Sequence, residues 1–470
     1  MGEFANTTKS RIKILDPGCG TAVLSCALIE KLVKCNTISH ISLTLYETDT
    51  DLLTLTRKSV QFLAEWLKER DVNFEWNLIT EDFILDNTSL FSTNDIDSGY
   101  DFIIGNPPYF KLSKDDSRVI TVSRFVNGVS NIYAAFLIIA STLLNTEGSL
   151  IFIVPRSFSS GLYFKDFRNF FFRNIRLDHI HLFKSRTEAF ARDKVLQETI
   201  IIKGVKRLKY DDLGEIVVSS SCGIADLVEK KNVKYREEYL IDFNSKDRML
   251  HLPVDDTGEE VLNLFKSWNG SLEGYNLQIS TGPVVAFRLK DEISCSITSS
   301  DSVPLLWLHN VMKMKVNWPV FKEGKGQFIK ITQTTEKLLI PNKNYILLRR
   351  FSAKDDKHRL IAAPHFCSIE DSDKIGVENK LNYIYRPNGH MSRKEIIGLC
   401  ALLNSSIFDH YFRIFNGNIN VSATELRAMP LPPLQTIYAI GEKLILSNDF
   451  SVESAEKIVN NEFRMDFDYE

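Results

Sequence analysis

The short hydrophobic run Ile12 to Leu15 leads directly into Asp16-Pro17-Gly18-Cys19-Gly20-Thr21 and then into the helical stretch Ala22 to Cys35. Strand, glycine turn and helix in immediate succession point to the nucleotide-binding half of a doubly wound α/β sheet. Gly18 and Gly20 let the backbone approach a ligand closely, and the first turn of the helix aims amide hydrogens at an anionic group such as a carboxylate. Val23, Leu24, Ala27, Leu28 and Leu32 recur at helical spacing and belong to the core.

Three further strands follow, each an apolar run closed by a polar tip. Ile41 to Tyr46 ends at Glu47, an acid placed to accept both hydroxyls of a ribose; taken alone it suits a solvated loop carboxylate equally well. The strand around Glu75 to Thr80 ends at Glu81, Asp82 and Phe83, with Asp82 placed to accept from an adenine amino group and Phe83 to lie against the ring. Tyr100 to Gly105 ends on Asn106, Pro107, Pro108 and Tyr109. Consecutive prolines fix their own φ and donate no backbone hydrogen, so the Asn106 amide oxygen and the Pro107 carbonyl are held as paired acceptors. Such a pair suits the exocyclic amino group of a planar base, with Tyr109 stacked on the base face. A proline-rich turn is the plain alternative at this one tip, but four tips in this order are hard to produce by chance.

The order DPGCGT, strand-terminal Glu, Glu-Asp-Phe and NPPY resembles the gamma-group N6-adenine DNA methyltransferases of bacterial restriction-modification systems. The segments NYILLRRFSAKDDKHRLIAAP at 344–364 and NGNINVSATELRAMPLPP at 416–433 are similar to the BsuBI/PstI-type branch, and the likeness runs from Ile12 to Pro433. The resemblance implies S-adenosylmethionine as cofactor, bound by Asp16, Gly18, Gly20, Glu47, Asp82 and Phe83. It implies double-stranded DNA as substrate, a target adenine flipped from the stack, catalysis by Asn106, Pro107, Pro108 and Tyr109, and a cognate restriction endonuclease acting on the same site. Related enzymes keep an aromatic opposing the flipped base, and Phe190, on a polar loop between two strands, is the residue expected there; Phe183, its competitor, reads as core. The chemistry requires no metal and no covalent enzyme intermediate, because a sulfonium is already a strong electrophile. Asn at the head of the tetrad favours adenine over cytosine N4. RNA or protein amino-methylation and a catalytically incomplete DNA-binding relative are the alternatives. The related enzymes carry a further cofactor motif upstream of the first strand, which is missing here, and often Gly where this chain has Ala22, a substitution that a helix start tolerates.

At 470 residues the chain fits two domains. A hydrophobic content of 44% with 25% charged residues, and no long uninterrupted apolar run or signal-peptide pattern, predicts a cytoplasmic protein. Seven cysteines without a CxxC pair argue against structural zinc and a disulfide scaffold. The net charge of −3 is unevenly divided: residues 275–440 hold 21 Lys and Arg against 14 Asp and Glu, about +7, leaving about −10 elsewhere. Lys313, Lys315, Lys322, Lys325 and Lys330 form one basic cluster, and Arg349, Arg350, Lys354, Lys357 and Arg359 another. Arg349, Arg350 and Arg359 are the expected DNA contacts, as phosphate binders or guanine readers.

The expected organisation is a doubly wound methyltransferase domain over 1–220, a charged connecting segment over 221–274, a mixed α+β target-recognition domain over 275–440 and a C-terminal tail over 441–470. Seven or more strands are expected in the first sheet, with Gly214 to Ser220 at its edge.

Overall fold

The computed structural model describes residues 1–35, 37–87, 99–183, 198–209, 212–221, 231–296, 301–352, 356–367, 372–417 and 420–465. The chain divides into two compact units, Met1–Val254 and Asp255–Glu470. In the first unit the strands are β1 (Arg11–Pro17), β2 (His40–Tyr46), β3 (Asn73–Ile79), β4 (Tyr100–Gly105), β5 (Leu144–Pro155), β6 (Ile175–Phe183), β7 (Thr199–Lys206), β8 (Glu215–Ser221) and β9 (Lys231–Arg236). Its helices include α1 (Val23–Cys35), α2 (Thr50–Lys68), α3 (Phe83–Asp86), α4 (Ser117–Val122), α5 (Ile132–Leu143) and α6 (Lys165–Asn174).

The strands form one sheet in the order β3-β2-β1-β4-β5-β7-β6-β8-β9. The first five are mutually parallel, and β7 runs antiparallel between β5 and β6. Chain order reverses at β1, whose neighbours are β2 and β4, which makes the β1/β4 boundary the switch point where such sheets bind ligands. There Ile14 pairs with Phe102 and Leu15 with Ile103. The two strands therefore finish level.

Alternation on the central strands sends side chains to both faces, and each face has its own helical cover. Ile12, Ile14, Ile41, Leu43 and Leu45 pack with Leu28, Ile29 and Leu32 of α1 and with Val60, Leu63 and Leu67 of α2. Leu15, Ile103 and Leu150 pack on the other face with α5 and α6. Every residue of α5 except Thr142 is buried, as expected of a helix apolar on all sides.

Two expected boundaries are corrected. Residues Lys231–Arg236, assigned to a connecting segment, form β9 and pair antiparallel with β8, so β8 is not the edge. The charges in this stretch mask an alternation in which Val233 and Tyr235 join the core. The later part of the segment, helix Asp256–Lys266, belongs to the second unit, where Phe265 stacks on Tyr411 with ring centroids 3.7 Å apart.

The second unit is mixed α+β. A four-stranded sheet orders Gln278–Thr281, Leu381–Tyr385, Asn344–Arg349 and Ala362–Phe366, and a five-stranded sheet is built from shorter strands. The expected C-terminal tail is instead structural. Helices Leu434–Ser447 and Val452–Phe463 bury Leu444 and Val459, and the Glu456 carboxylate accepts from the Ser406 amide at 3.0 Å, capping the helix Ser406–Phe415. Among the described residues no helix is long and apolar enough to cross a membrane.

Candidate active site

Gly18, Gly20 and Ala22 have φ of +73°, +54° and +61°. Left-handed residues at alternate positions curl the backbone into a tight loop. A Cβ on Gly20 meets nothing within 4 Å, so the loop is open above that residue. Ala22 corrects the expectation of an ordinary helix start. It lies one residue before α1, fully buried and left-handed, a conformation that costs an L-residue about 1–2 kcal/mol. Such strain persists only where the surroundings over-determine the backbone. Here the Cys19 amide donates to Tyr46 O at 2.9 Å and the Ala22 amide to Cys19 O at 2.8 Å. The Gly20 amide donates to Glu47 Oε2 at 2.8 Å, and Thr56 Oγ1 donates to Gly20 O at 2.6 Å.

Asp16 is 1% exposed at the end of β1. Its Oδ2 accepts from Ser25 Oγ at 2.5 Å, whereas its Oδ1 is buried without a hydrogen-bond partner. Burial pushes the carboxyl up to about 7; the Ser25 hydrogen bond opposes this, and the nearby Glu47 charge adds to it. A buried acid with one idle oxygen is set to receive a donor or a cation from a ligand.

Glu47, half-buried past β2, accepts from the Gly20 amide at Oε2 and from the Asp49 amide at Oε1, each at 2.8 Å. Each oxygen keeps a second lone pair for an incoming hydroxyl. Asp82 caps α3: its Oδ1 accepts from the Ile84 and Leu85 amides at 2.9 and 3.1 Å, and its Oδ2 faces Arg118 Nη1 at 3.7 Å. Phe83 is only 2% exposed, lying edge-on to Tyr46 and tilted against Phe136 with centroids 5.3 and 5.2 Å away. Phe83, expected to lie against the adenine ring, opens α3 and turns its own ring toward the core.

Asn106 and Pro108 are exposed and Pro107 buried, at the tip of β4. The strand ends tightly: a Cβ on Gly105 would come within 2.9 Å of the Phe152 ring on β5, so no larger residue fits before the tetrad. Tyr109 Oη is 2.5 Å from Asn106 Oδ1 and 2.9 Å from Ile153 O, and its single proton serves one of them at a time. Its half-buried ring is edge-on to Tyr133 at 6.4 Å. Burial holds the phenol above its ordinary range, so it stays a donor. Past the tetrad, the Ile132 amide donates to Phe110 O at 3.1 Å and the Leu112 amide to Ser130 O at 2.7 Å, pinning the segment to the start of α5.

In the second unit the three arginines separate. Arg359 is 2% exposed; its Nε donates to Ser352 Oγ at 3.0 Å, its Nη2 to Asn416 Oδ1 at 3.1 Å, and its own amide to Asp409 Oδ1 at 2.5 Å. This corrects its assignment as a DNA contact: the guanidinium is interior and joins distant segments. Arg359→Ala is therefore expected to destabilise the protein by about 2–4 kcal/mol without relaxing preference at any base pair, because it strands buried acceptors; urea unfolding and binding to duplex variants check both halves. Arg349 and Arg350 are partly exposed. Arg349 Nε donates to Val311 O at 2.7 Å and Arg350 Nη1 to Asn379 O at 3.0 Å. Lys313 is also drawn inward, donating to Asn404 O at 2.9 Å, with burial lowering its ammonium to about 8. Phe190 and Lys354 lie outside the described residues.

Two residues not singled out by sequence hold the loop from beneath: Ser25 and Thr56. Both are fully buried hydroxyls within apolar helical stripes, Ser25 with Leu28, Ile29 and Leu32, Thr56 with Val60, Leu63 and Leu67. A hydroxyl in such a stripe is a signal that can be read from sequence.

A doubly wound sheet with a glycine loop, a second-strand acid and a fourth-strand NPPY tip is the arrangement of the S-adenosylmethionine-dependent methyltransferases. A family model described as the Eco57I restriction-modification methylase matches residues 29–190. The type II methyltransferase M.PstI of Providencia stuartii is 30% identical over 456 residues, spanning 96% of this chain and 88% of its own. M.BsuBI of Bacillus subtilis is likewise 30% identical over 462 residues, spanning 96% and 89%. The chain belongs to this family of type II restriction-modification methyltransferases. The solved structure of the Type IIL restriction-modification enzyme MmeI in complex with DNA shares the fold, with a TM-score of 0.54 at 11% identity over 98% of this chain and 71% of that one.

The family's cofactor is S-adenosylmethionine, and the residues fit it. The idle oxygen of Asp16 and the lone pairs of Glu47 suit a ligand that carries ammonium and hydroxyl groups.

Proposed function

We propose that the protein methylates the N6 amino group of adenine in duplex DNA at a specific site, as the modification partner of a restriction endonuclease recognising the same sequence. The observation that carries this is the level pairing of β1 and β4, which sets the NPPY tip beside the cofactor loop. Bound S-adenosylmethionine supplies an electrophilic methyl group. Asn106 Oδ1 and the Pro107 carbonyl accept the two amino hydrogens, turning the nitrogen lone pair away from them and orienting it for in-line attack. Tyr109, tethered through its hydroxyl to Asn106 or Ile153, offers its ring to the base while keeping the Asn106 amide oriented. The second lone pair of Asn106 Oδ1 remains for the substrate. A proton leaves to solvent after transfer, since the methylated ammonium is strongly acidic, and no general base is assigned. Reaching this site from a duplex requires base flipping, with Phe190 the proposed opposing aromatic, and the second unit, through Arg349 and Arg350 among other basic residues, serves as target-recognition domain.

Incubation with radiolabelled S-adenosylmethionine and unmodified genomic DNA, followed by digestion to nucleosides, tests the proposal. Label is expected in N6-methyladenine. Label in N4-methylcytosine transfers the mechanism to the other base, and label confined to RNA or protein rejects the proposal.

A further inference from the structure

We infer that Thr56 is a positioning residue for the cofactor loop, forming with Glu47 a two-sided clamp on Gly20. This rests on the family's assignment of that loop to S-adenosylmethionine. Glu47 holds the Gly20 amide at 2.8 Å from β2's end, while Thr56, from the second turn of α2, holds the carbonyl of the same residue at 2.6 Å. Both polar groups of one peptide-linked residue are thus fixed by side chains that lie 27 and 36 positions further along the chain. Thr56 Oγ1 has a single proton and two acceptors in reach, Gly20 O and Leu52 O at 2.9 Å. Leu52 O is already served by the helix's own ladder, and Gly20 O is nearer.

The clamp has mechanical work to do. Gly20 is the middle of three left-handed residues, and its neighbour two places on, Ala22, pays a side-chain penalty to stay there. Fixing Gly20 at both ends determines the peptide planes on either side, and with them the direction in which the loop amides face. It also relieves a constraint on Glu47: the carboxylate is oriented by Gly20 and Asp49 before any ribose arrives, so ligand binding has less side-chain entropy to remove. Thr56 touches neither reacting atoms nor cofactor in this account and acts wholly through Gly20.

The test compares Thr56→Val, which keeps the branched shape and loses the donor, with Thr56→Ser, which keeps the hydroxyl. In unliganded protein, hydrogen exchange of the peptide covering Pro17–Leu24 is expected to quicken about tenfold in the Val variant and to stay near wild type in the Ser variant. Calorimetry with S-adenosylmethionine is expected to show Kd raised about tenfold in Val and within about twofold of wild type in Ser, with kcat at saturating cofactor preserved in both. Unchanged exchange in the Val variant, or equal effects of Val and Ser, overturns the clamp. Quickened exchange in the Val variant, together with no binding heat from S-adenosylmethionine in the wild-type chain, overturns the assignment of the loop to that cofactor instead.

Discussion

Asn106→Ala is expected to reduce methyl transfer by at least about a hundredfold while leaving S-adenosylmethionine affinity within about twofold of wild type. The side chain sits on the exposed tip of β4, and its Oδ1 contacts Tyr109 Oη, not any group of the glycine loop. Truncation removes one of two acceptors for the target amine, and with it the orientation of the nucleophile. It also frees the Tyr109 hydroxyl, which still has Ile153 O at 2.9 Å, so the ring keeps an anchor and the fold loses little. Single-turnover kinetics at saturating cofactor, with calorimetry beside them, separate the effects. A parallel loss of cofactor affinity would place Asn106 in the wrong site.

Asp16→Asn is expected to stabilise the unliganded protein at alkaline pH and to weaken cofactor binding at least tenfold. In the fold the Asp16 carboxyl titrates near 7 against an ordinary 3.8, mainly because burial disfavours its charged form. A raised acid pKa means that the folded state holds the proton to higher pH than the unfolded chain does. The group's contribution to stability is therefore undiminished below about pH 4 and is lost as pH rises through about 7. The full difference of about 3 pK units corresponds to roughly 4 kcal/mol, an upper bound for the unliganded chain. Asparagine carries no such charge but brings an amino group to the place where Oδ1 has no partner, which returns part of the gain. Urea titrations without cofactor should show the variant more stable than wild type by on the order of 2 kcal/mol at pH 8 and no more stable at pH 4 to 5. Equal stability differences at both pH values would mean that Asp16 is not held in its protonated form by the fold. Weaker binding alongside greater stability is the exchange expected of a residue kept for function.

What could be read from the sequence was local. The strand, glycine turn and helix at Ile12 to Cys35, the acid at Glu47 and the tetrad at Asn106 each announce themselves within a few neighbouring residues, and the fold places all of them on adjacent strands. What sequence hid depends on partners far along the chain. Arg359 looks like any exposed cation in a basic stretch until Ser352 and Asn416 take up its guanidinium. Thr56 shows in the sequence as a hydroxyl within an apolar stripe, but its partner is hidden until Gly20 is folded above it. The inward turn of the Phe83 ring follows from Asp82, which caps α3 at that point. The left-handed backbone of Ala22 was marked only by the Gly that related enzymes often carry there, since alanine itself is common at helix starts and rare at positive φ. The domain boundary was misplaced because charge density outweighed a short alternation, Val233 and Tyr235, that only a neighbouring strand reveals.

The register at the switch point carries one more consequence. Leu15 opposite Ile103 means that the glycine loop and the NPPY tetrad leave the sheet side by side, separated by a single inter-strand spacing of about 4.8 Å. On the proposed reading, methyl donor and acceptor are thus gauged against each other by backbone hydrogen bonds within the first unit. Insertion or deletion of two residues in β4 preserves the inward and outward facing of its side chains yet carries Asn106 about 7 Å along the strand axis, beyond any productive approach. On the proposed reading, substitutions confined to the second unit leave this gauge untouched, whereas any change in the length of β4 alters it.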